Sequence, residues 1–192
     1  IRPQTPALPD GRDHLAAASQ RPLAYVSFGT VALYQPRPQL ITAAVRALLA
    51  RGLDAVVTTS DPVLTARLTA LSPQRVHVER WLSLPTVLER CSLAVCHGGA
   101  GTVLAALAGG VPLLLLPQGA PSQARMSNAC ARRGVARVIG SQTPDTITLL
   151  DGLEQLITDD RLKTAAREVA AEIQAMPGAA AAATAIEALI TP

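Results

Sequence analysis

The amino-acid sequence predicts an α/β domain, a parallel six-stranded sheet flanked by helices on both faces. Three observations carry that expectation. Short apolar runs alternate along the chain with longer segments of helical period. Hydrophobic residues make up 49% of the 192 positions and charged residues only 16%, which leaves little surface for charge. Aromatic residues are scarce (one Trp, two Tyr and one Phe), so the core must be built from Ala, Leu, Val and Ile, as where helices cover both faces of a sheet.

Each element follows from its own signals. Residues 1–22 hold four prolines and no sustained apolar period, and read as a linker to something upstream. The body of the domain is expected over 23–176. Leu23–Phe28 is a buried strand ending at Gly29, and a helix begins at Pro38 and closes near Gly52. Asp54–Thr59 is a second strand, followed by a helix opened by Asp61-Pro62. Arg75–Glu79 is a third strand, Leu84–Arg90 a short helix, and Leu93–Cys96 a fourth strand. Ala100–Ala108 is helical, Val111–Leu116 is a strongly apolar fifth strand, and Gln123–Arg133 is a helix stopped by Gly134. Ala136–Ile139 is the sixth strand, and Thr146–Thr158 and Asp160–Ala175 are amphipathic helices. Pro177-Gly178 sets off an Ala-rich helix in 177–192, taken as part of the same domain.

Such alternation implies right-handed crossovers and a Rossmann-like sheet. Ligands of these sheets bind at the carboxyl ends of the strands, near the switch in strand order. The loops after Phe28, Glu79, Cys96 and Leu116 are therefore where chemistry is expected.

Several function classes are excluded. The net charge of +3 is modest, and the arginines (Arg46, Arg51, Arg67, Arg75, Arg80, Arg90) are spread along the chain, so no nucleic-acid partner is expected. Cys91, Cys96 and Cys130 form no CxxC pair and read as small buried residues in a reducing, cytoplasmic setting. The uncharged stretch from Cys91 to Ala124 is broken by His97, Gly98, Gly99, Gly101, Gly109, Gly110 and Pro112, so it is no membrane span, and no membrane partner is expected.

The strongest chemical signal is His97-Gly98-Gly99-Ala100-Gly101-Thr102, placed between a strand and a helix. Glycines let the backbone approach a ligand closely, and the first N–H groups of the helix lack internal partners. With the helix dipole, these groups favour a phosphate or diphosphate. Thr102 adds a hydroxyl and His97 a ring N–H. Neither this loop nor Phe28-Gly29-Thr30 reads GxGxxG, and no GxxxxGK[ST] occurs, which disfavours dinucleotides and excludes a triphosphate P-loop.

Val26-Ser27-Phe28-Gly29-Thr30, Trp81, His97 to Thr102, Gly110-Val111-Pro112 and Pro117-Gln118-Gly119-Ala120 together resemble the C-terminal half of the GT-B fold, family 1 glycosyltransferases. The likeness is nearest to bacterial macrolide and antibiotic transferases that use UDP- or dTDP-sugars, and it spans nearly the whole chain. It implies that Gly29 and Thr30 lie close to the donor diphosphate, which His97, Gly98, Gly99, Ala100, Gly101 and Thr102 hold. It implies that Trp81 stacks on the base while Leu82 and Ser83 pair with the base edge. Gln118, Ser122 and Gln123 fall where such enzymes grip the sugar. No metal and no cofactor beyond the nucleotide sugar is expected.

Two departures from the family pattern stand out. The usual Trp-x-Pro is Trp81-Leu82-Ser83 here, and the usual Asp-Gln pair is Ser122-Gln123, with Asn128 set further on than its counterpart. The missing carboxylate removes a strong acceptor. It implies either a sugar with fewer hydroxyls or a weaker grip.

In this family the general base and the acceptor pocket belong to the N-terminal domain, so the catalytic residue is expected outside this chain. His14, in the linker, and His77, in a strand, are not read as that base. The resemblance thus implies the donor-binding domain of an inverting glycosyltransferase acting on a small natural product, inactive by itself and partnered by its N-terminal domain. The face that meets that partner also allows weak self-association. Two other readings stay open. One is a separate donor subunit of a two-chain transferase; the other is a Rossmann-like module, or an epimerase half, for another phosphorylated ligand.

Overall fold

A computed structural model describes residues 21–29, 38–140 and 144–190. The linker expected over 1–22 therefore lies outside the described residues, apart from Arg21 and Pro22.

Among the described residues six strands form one sheet: β1 (Leu23–Ser27), β2 (Asp54–Thr58), β3 (Val76–Glu79), β4 (Cys91–Cys96), β5 (Leu113–Leu115) and β6 (Ala136–Val138). Their order is β3-β2-β1-β4-β5-β6, and every neighbouring pair is parallel. The chain runs outward from β1 to β3 and then returns to lay β4 on the other side of β1. The switch in strand order is therefore the gap between β1 and β4.

Among the described residues eight helices accompany the sheet: α1 (Pro38–Ala50), α2 (Pro62–Thr69), α3 (Leu84–Leu88), α4 (Ala100–Ala108), α5 (Pro121–Arg132), α6 (Thr146–Thr158), α7 (Asp160–Ala175) and α8 (Ala179–Ile190). The expected α/β class and layering are observed. Period-two alternation splits each central strand between two cores. Ala24 and Val26, Leu93 and Val95, and Leu114 join one core, with α1 and α6 packed above it. Tyr25, Ala94 and Cys96, and Leu113 and Leu115 face the other, under α4 and α7. Burial on both faces is why the strands read as continuous apolar runs.

Small differences from expectation have local causes. Strand β4 starts at Cys91 rather than Leu93 because Leu23 pairs with Cys91 across a register shift in β1. Helix α5 starts at Pro121 rather than Gln123, since a proline without an N–H suits a first turn. At the amino end of the sheet Asp54, 2% exposed, is held by Arg75 Nε at 2.9 Å. The same guanidinium donates to the carbonyls of Leu49 and Leu53.

Helix α8 packs little. None of its described residues is buried, and Ile186 and Leu189 are 60% and 85% exposed. Removing residues 177–192 is therefore expected to shift the melting temperature by no more than about 3 °C, the effect of under about 1 kcal/mol at this size. Thermal melts followed by circular dichroism check it; a larger drop would mean that α8 contributes to this core. Among the described residues no single helix is long and apolar enough to cross a membrane. Helices α7 and α8 meet that length and composition only together, across a 43° bend.

Candidate functional site

Two clefts open at the carboxyl edge of the sheet, one on either side of the β1–β4 switch. The larger, about 400 Å3, is lined by Phe28 and Gly29 after β1, by His97 and Gly99 to Thr102 at the start of α4, and by Ala120, Ser122 and Gln123 at the start of α5. The smaller, about 220 Å3, is lined by Tyr25, Ser27, Gly29, Thr58 to Ser60, Arg80 to Leu82, Leu84 and Thr102. Gly29 and Thr102 line both, so the two clefts meet over the switch point.

The helices facing the larger cleft, α4 and α5, lack the side-chain caps found on α2, α6 and α7, as does the short α3. Aspartates cap α2, α6 and α7: Asp61 accepts from Val63 N and Leu64 N, Asp145 from Thr148 N, and Asp159 from Arg161 N. Helices α4 and α5 begin at Gly99 and Ala120 with no side-chain cap and no acidic residue in the first turn. Their N-terminal N–H groups and dipoles are thus presented to the cleft without an internal anion to neutralise them. Among the described residues no Asp or Glu lines either cleft.

His97 stands between the two loops. A Cβ on Gly99 would lie 2.4 Å from its Nε2, and one on Gly29 would lie 2.9 Å from its Cε1. The ring therefore occupies space that two absent side chains leave free. Gly29 also has φ +76°, a conformation that favours glycine independently of the ring. The Phe28 ring lies beside the imidazole, with centroids 6.4 Å apart. His97 Nδ1 is buried without a hydrogen-bond partner among the described residues.

Burial lowers the His97 pKa below its ordinary 6.5, with the backbone of Ser27 acting in the opposite sense. A histidine whose folded pKa is lowered is protonated first in the unfolded chain. Its contribution to stability is present above about pH 6.5 and is lost as the pH falls from there through the folded value. Chemical denaturation from neutral pH to about pH 5 should show this loss, and His97→Gln should flatten the slope. An unchanged slope in the variant would show that the ring does not sense burial.

The smaller cleft has an exposed indole at its mouth, with Trp81 55% exposed. Its floor is a chain of hydroxyls. Tyr25 Oη and Thr58 Oγ1 are 2.9 Å apart, and Thr58 donates to Ser27 Oγ at 2.9 Å. Burial raises the Tyr25 pKa, so the phenol keeps its proton. The thiols carry no comparable chemistry: all three are free, and burial pushes Cys91 and Cys96 up to about 12.

The sequence-derived candidates fall into three groups. Gly29, Trp81, Leu82, His97, Gly99, Ala100, Gly101, Thr102, Ser122 and Gln123 line the joined clefts. Gly98, Ser83 and Gln118 stand behind them. Gly98 packs on α5, where an added Cβ would lie 2.8 Å from Ser127 Oγ, and Ser83, 3% exposed, precedes α3 as its cap residue. Gln118 folds back to donate from Nε2 to the Leu116 carbonyl at 2.8 Å. Thr30 and His14 lie outside the described residues, and His77 sits on β3 away from both clefts. Sequence reasoning passed over Tyr25, Ser27 and Thr58-Thr59-Ser60. The available signal was the run of three hydroxyl residues at the carboxyl end of β2, beside β1, a loop not among those singled out.

Residues 33–189 match the family described as "Erythromycin biosynthesis protein CIII-like, C-terminal domain". The chain is 42% identical over 108 residues to the elloramycin glycosyltransferase ElmGT of Streptomyces olivaceus, covering 56% of this chain and 26% of that protein. It is 34% identical over 176 residues to the demethyllactenocin mycarosyltransferase of Streptomyces fradiae, covering 90% of this chain and 36% of that protein. Among solved structures, the spinosyn rhamnosyltransferase SpnG complexed with thymidine diphosphate superposes with a TM-score of 0.78 at 29% identity, over 90% of this chain and 46% of that one. The chain thus spans less than half the length of each of these proteins.

Proposed function

The chain belongs to the erythromycin biosynthesis protein CIII-like C-terminal domain family, and from that premise we propose that it is the donor-binding half of an inverting glycosyltransferase. A UDP- or dTDP-sugar lies across the joined clefts, and a small natural product is the acceptor. One observation carries the reading: two clefts meet at Gly29 and Thr102, one with an exposed indole, the other with two uncapped helix N-termini. A nucleoside diphosphate has that pattern of an aromatic base joined to a compact anion.

In this reading Trp81 stacks on the base, with Leu82 beside it. Gly29, His97 and the 99–102 turn surround the diphosphate. When an acceptor hydroxyl attacks the anomeric carbon from the opposite face, negative charge builds on the departing diphosphate. The N–H groups of α4, the imidazole N–H and the Thr102 hydroxyl are placed to stabilise it, and being fixed beforehand they need no reorganisation. The base that takes the acceptor proton belongs to a further, N-terminal domain, so this half binds without turnover. The free cysteines accord with a cytoplasmic enzyme.

The sugar end holds Ser122 and Gln123 among Phe28, Ala100 and Ala120, with no carboxylate among the described residues. This favours a sugar short of hydroxyls, since a hydroxyl buried there would lack a charged acceptor. In the family pattern this end carries Asp-Gln.

Calorimetric titration with UDP and dTDP tests the site. Either nucleotide should bind, and His97→Ala should weaken the tighter one about tenfold or more, the worth of a hydrogen bond to a charged group. A folded chain that binds neither overturns the proposal.

A further inference from the structure

Gln123 occupies the position from which the family pattern would have it reach the sugar, yet its side chain is engaged within the protein. It is 5% exposed, and its Oε1 accepts the backbone N–H of Gln118 at 2.7 Å. Gln118 in turn donates from Nε2 to the Leu116 carbonyl at the end of β5. The turn over 117–119, which includes Gly119 at φ +94°, is therefore held twice through Gln118, once to the residue that follows β5 and once to α5.

The main chain of Gln123 makes a second connection. The Cβ position of Gly98 lies 3.2 Å from the Gln123 carbonyl oxygen and 2.8 Å from Ser127 Oγ, one helical turn further along α5. Ser127 is 1% exposed, and its hydroxyl has no partner among the described residues. The first turns of α5 thus rest directly on the phosphate-side loop, at a residue where no side chain fits. Gln123 joins that loop to the turn at the sugar end.

We propose that Gln123 is a positioning residue acting through Gln118: it sets the 117–119 turn relative to the 97–99 loop and so determines how well the site accepts the sugar of a nucleotide sugar. The proposal rests on the donor-binding reading. It assigns the Gln123 carbonyl to the protein, so the hydroxyls of the sugar meet the turn that Gln123 places.

The substitutions Gln123→Glu and Gln123→Leu separate this role from direct contact. Glutamate keeps an oxygen acceptor for the Gln118 N–H and loses the amide donor; leucine keeps the volume and loses both. The first readout is hydrogen exchange at the Gln118 amide, measured by NMR on the 192-residue chain. Exchange should be slow in the parent and in Gln123→Glu, and about tenfold faster in Gln123→Leu, the effect of one hydrogen bond. The second is the ratio of affinities for dTDP-rhamnose and dTDP. Gln123→Leu should shift it about tenfold against the sugar nucleotide, and Gln123→Glu should restore most of it.

Unchanged Gln118 exchange in Gln123→Leu overturns the proposal, because the brace then does not exist in solution. A Gln123→Glu variant that keeps the slow exchange but loses the ratio as fully as leucine also overturns it, since the amide group would then be contacting the sugar itself. A parent chain that binds neither ligand sinks the donor reading, and the functional half of this proposal with it. The exchange rates report on the brace in either case.

Discussion

Gly99→Ala is expected to reduce nucleoside diphosphate affinity by about 100-fold, or about 2.7 kcal/mol. The added Cβ would lie 2.4 Å from His97 Nε2 and 2.7 Å from Cε1. No real contact is so short, so the ring must leave its place. It has little room to do so. The Cβ position of Gly29 lies 2.9 Å from Cε1, and the Phe28 ring stands beside it. Backbone strain does not explain the expectation, because Gly99 has φ −68° and ψ 135°, a conformation open to alanine. The cost is steric. It falls on the position of the imidazole and on the loop that presents the α4 N-terminus.

Gly101→Ala supplies the control for stability. Its Cβ would meet nothing within 4 Å, and its place in the first turn of α4 should make alanine neutral or stabilising by up to about 1 kcal/mol. Calorimetric titration with dTDP and thermal melts of both variants check the pair. Parent-like dTDP affinity in Gly99→Ala would show that the ring is not confined between the two glycines. A Gly101→Ala variant less stable than Gly99→Ala would show that glycine is needed there for its backbone.

That confinement also marks where sequence reading stops. The central strands were legible because burial on both faces turns each into an apolar run, as in Leu23–Phe28 and Val111–Leu116. The order of elements followed from alternation and caps such as Asp61-Pro62. The glycine loop was legible as an anion site because its spacing is local. Nothing local ties Gly29 to Gly99; the two flank one ring only because β1 and β4 are neighbours at the switch.

The same reason accounts for the hydroxyl floor, where Tyr25, Ser27 and Thr58 meet across two strands. Gln118 and Gln123 are close in sequence, but their hydrogen bond depends on the conformation of the turn that joins β5 to α5, which residue spacing alone does not give. The absence of proline two residues after Trp81 has a local answer. Proline occurs instead at Pro85, in the first turn of α3, and Ser83 precedes that turn as its cap residue, with its carbonyl accepting from Val87 N. Position 83 is thus buried in the start of a helix, while Leu82 keeps its place in the cleft.

Trp81→Ala tests the other end of the site, and its expected signature is a loss of affinity without a loss of stability. Stacking of an aromatic side chain on a nucleobase contributes about 1–3 kcal/mol, so the affinity for dTDP should fall about tenfold to 100-fold. Trp81 is 55% exposed and belongs to neither core, so the melting temperature should move by about 2 °C or less. Inorganic pyrophosphate separates the two clefts further. It carries the anion without the base, so whatever affinity it shows should be unchanged by Trp81→Ala and reduced by Gly99→Ala. Trp81→Phe should recover part of the dTDP affinity, since a smaller ring retains a stacking face. A Trp81→Ala variant that melts several degrees lower yet binds dTDP as the parent does would make this indole a packing residue. The base would then have to lie elsewhere, and the pairing of an aromatic cleft with an anion cleft would lose its chemical meaning.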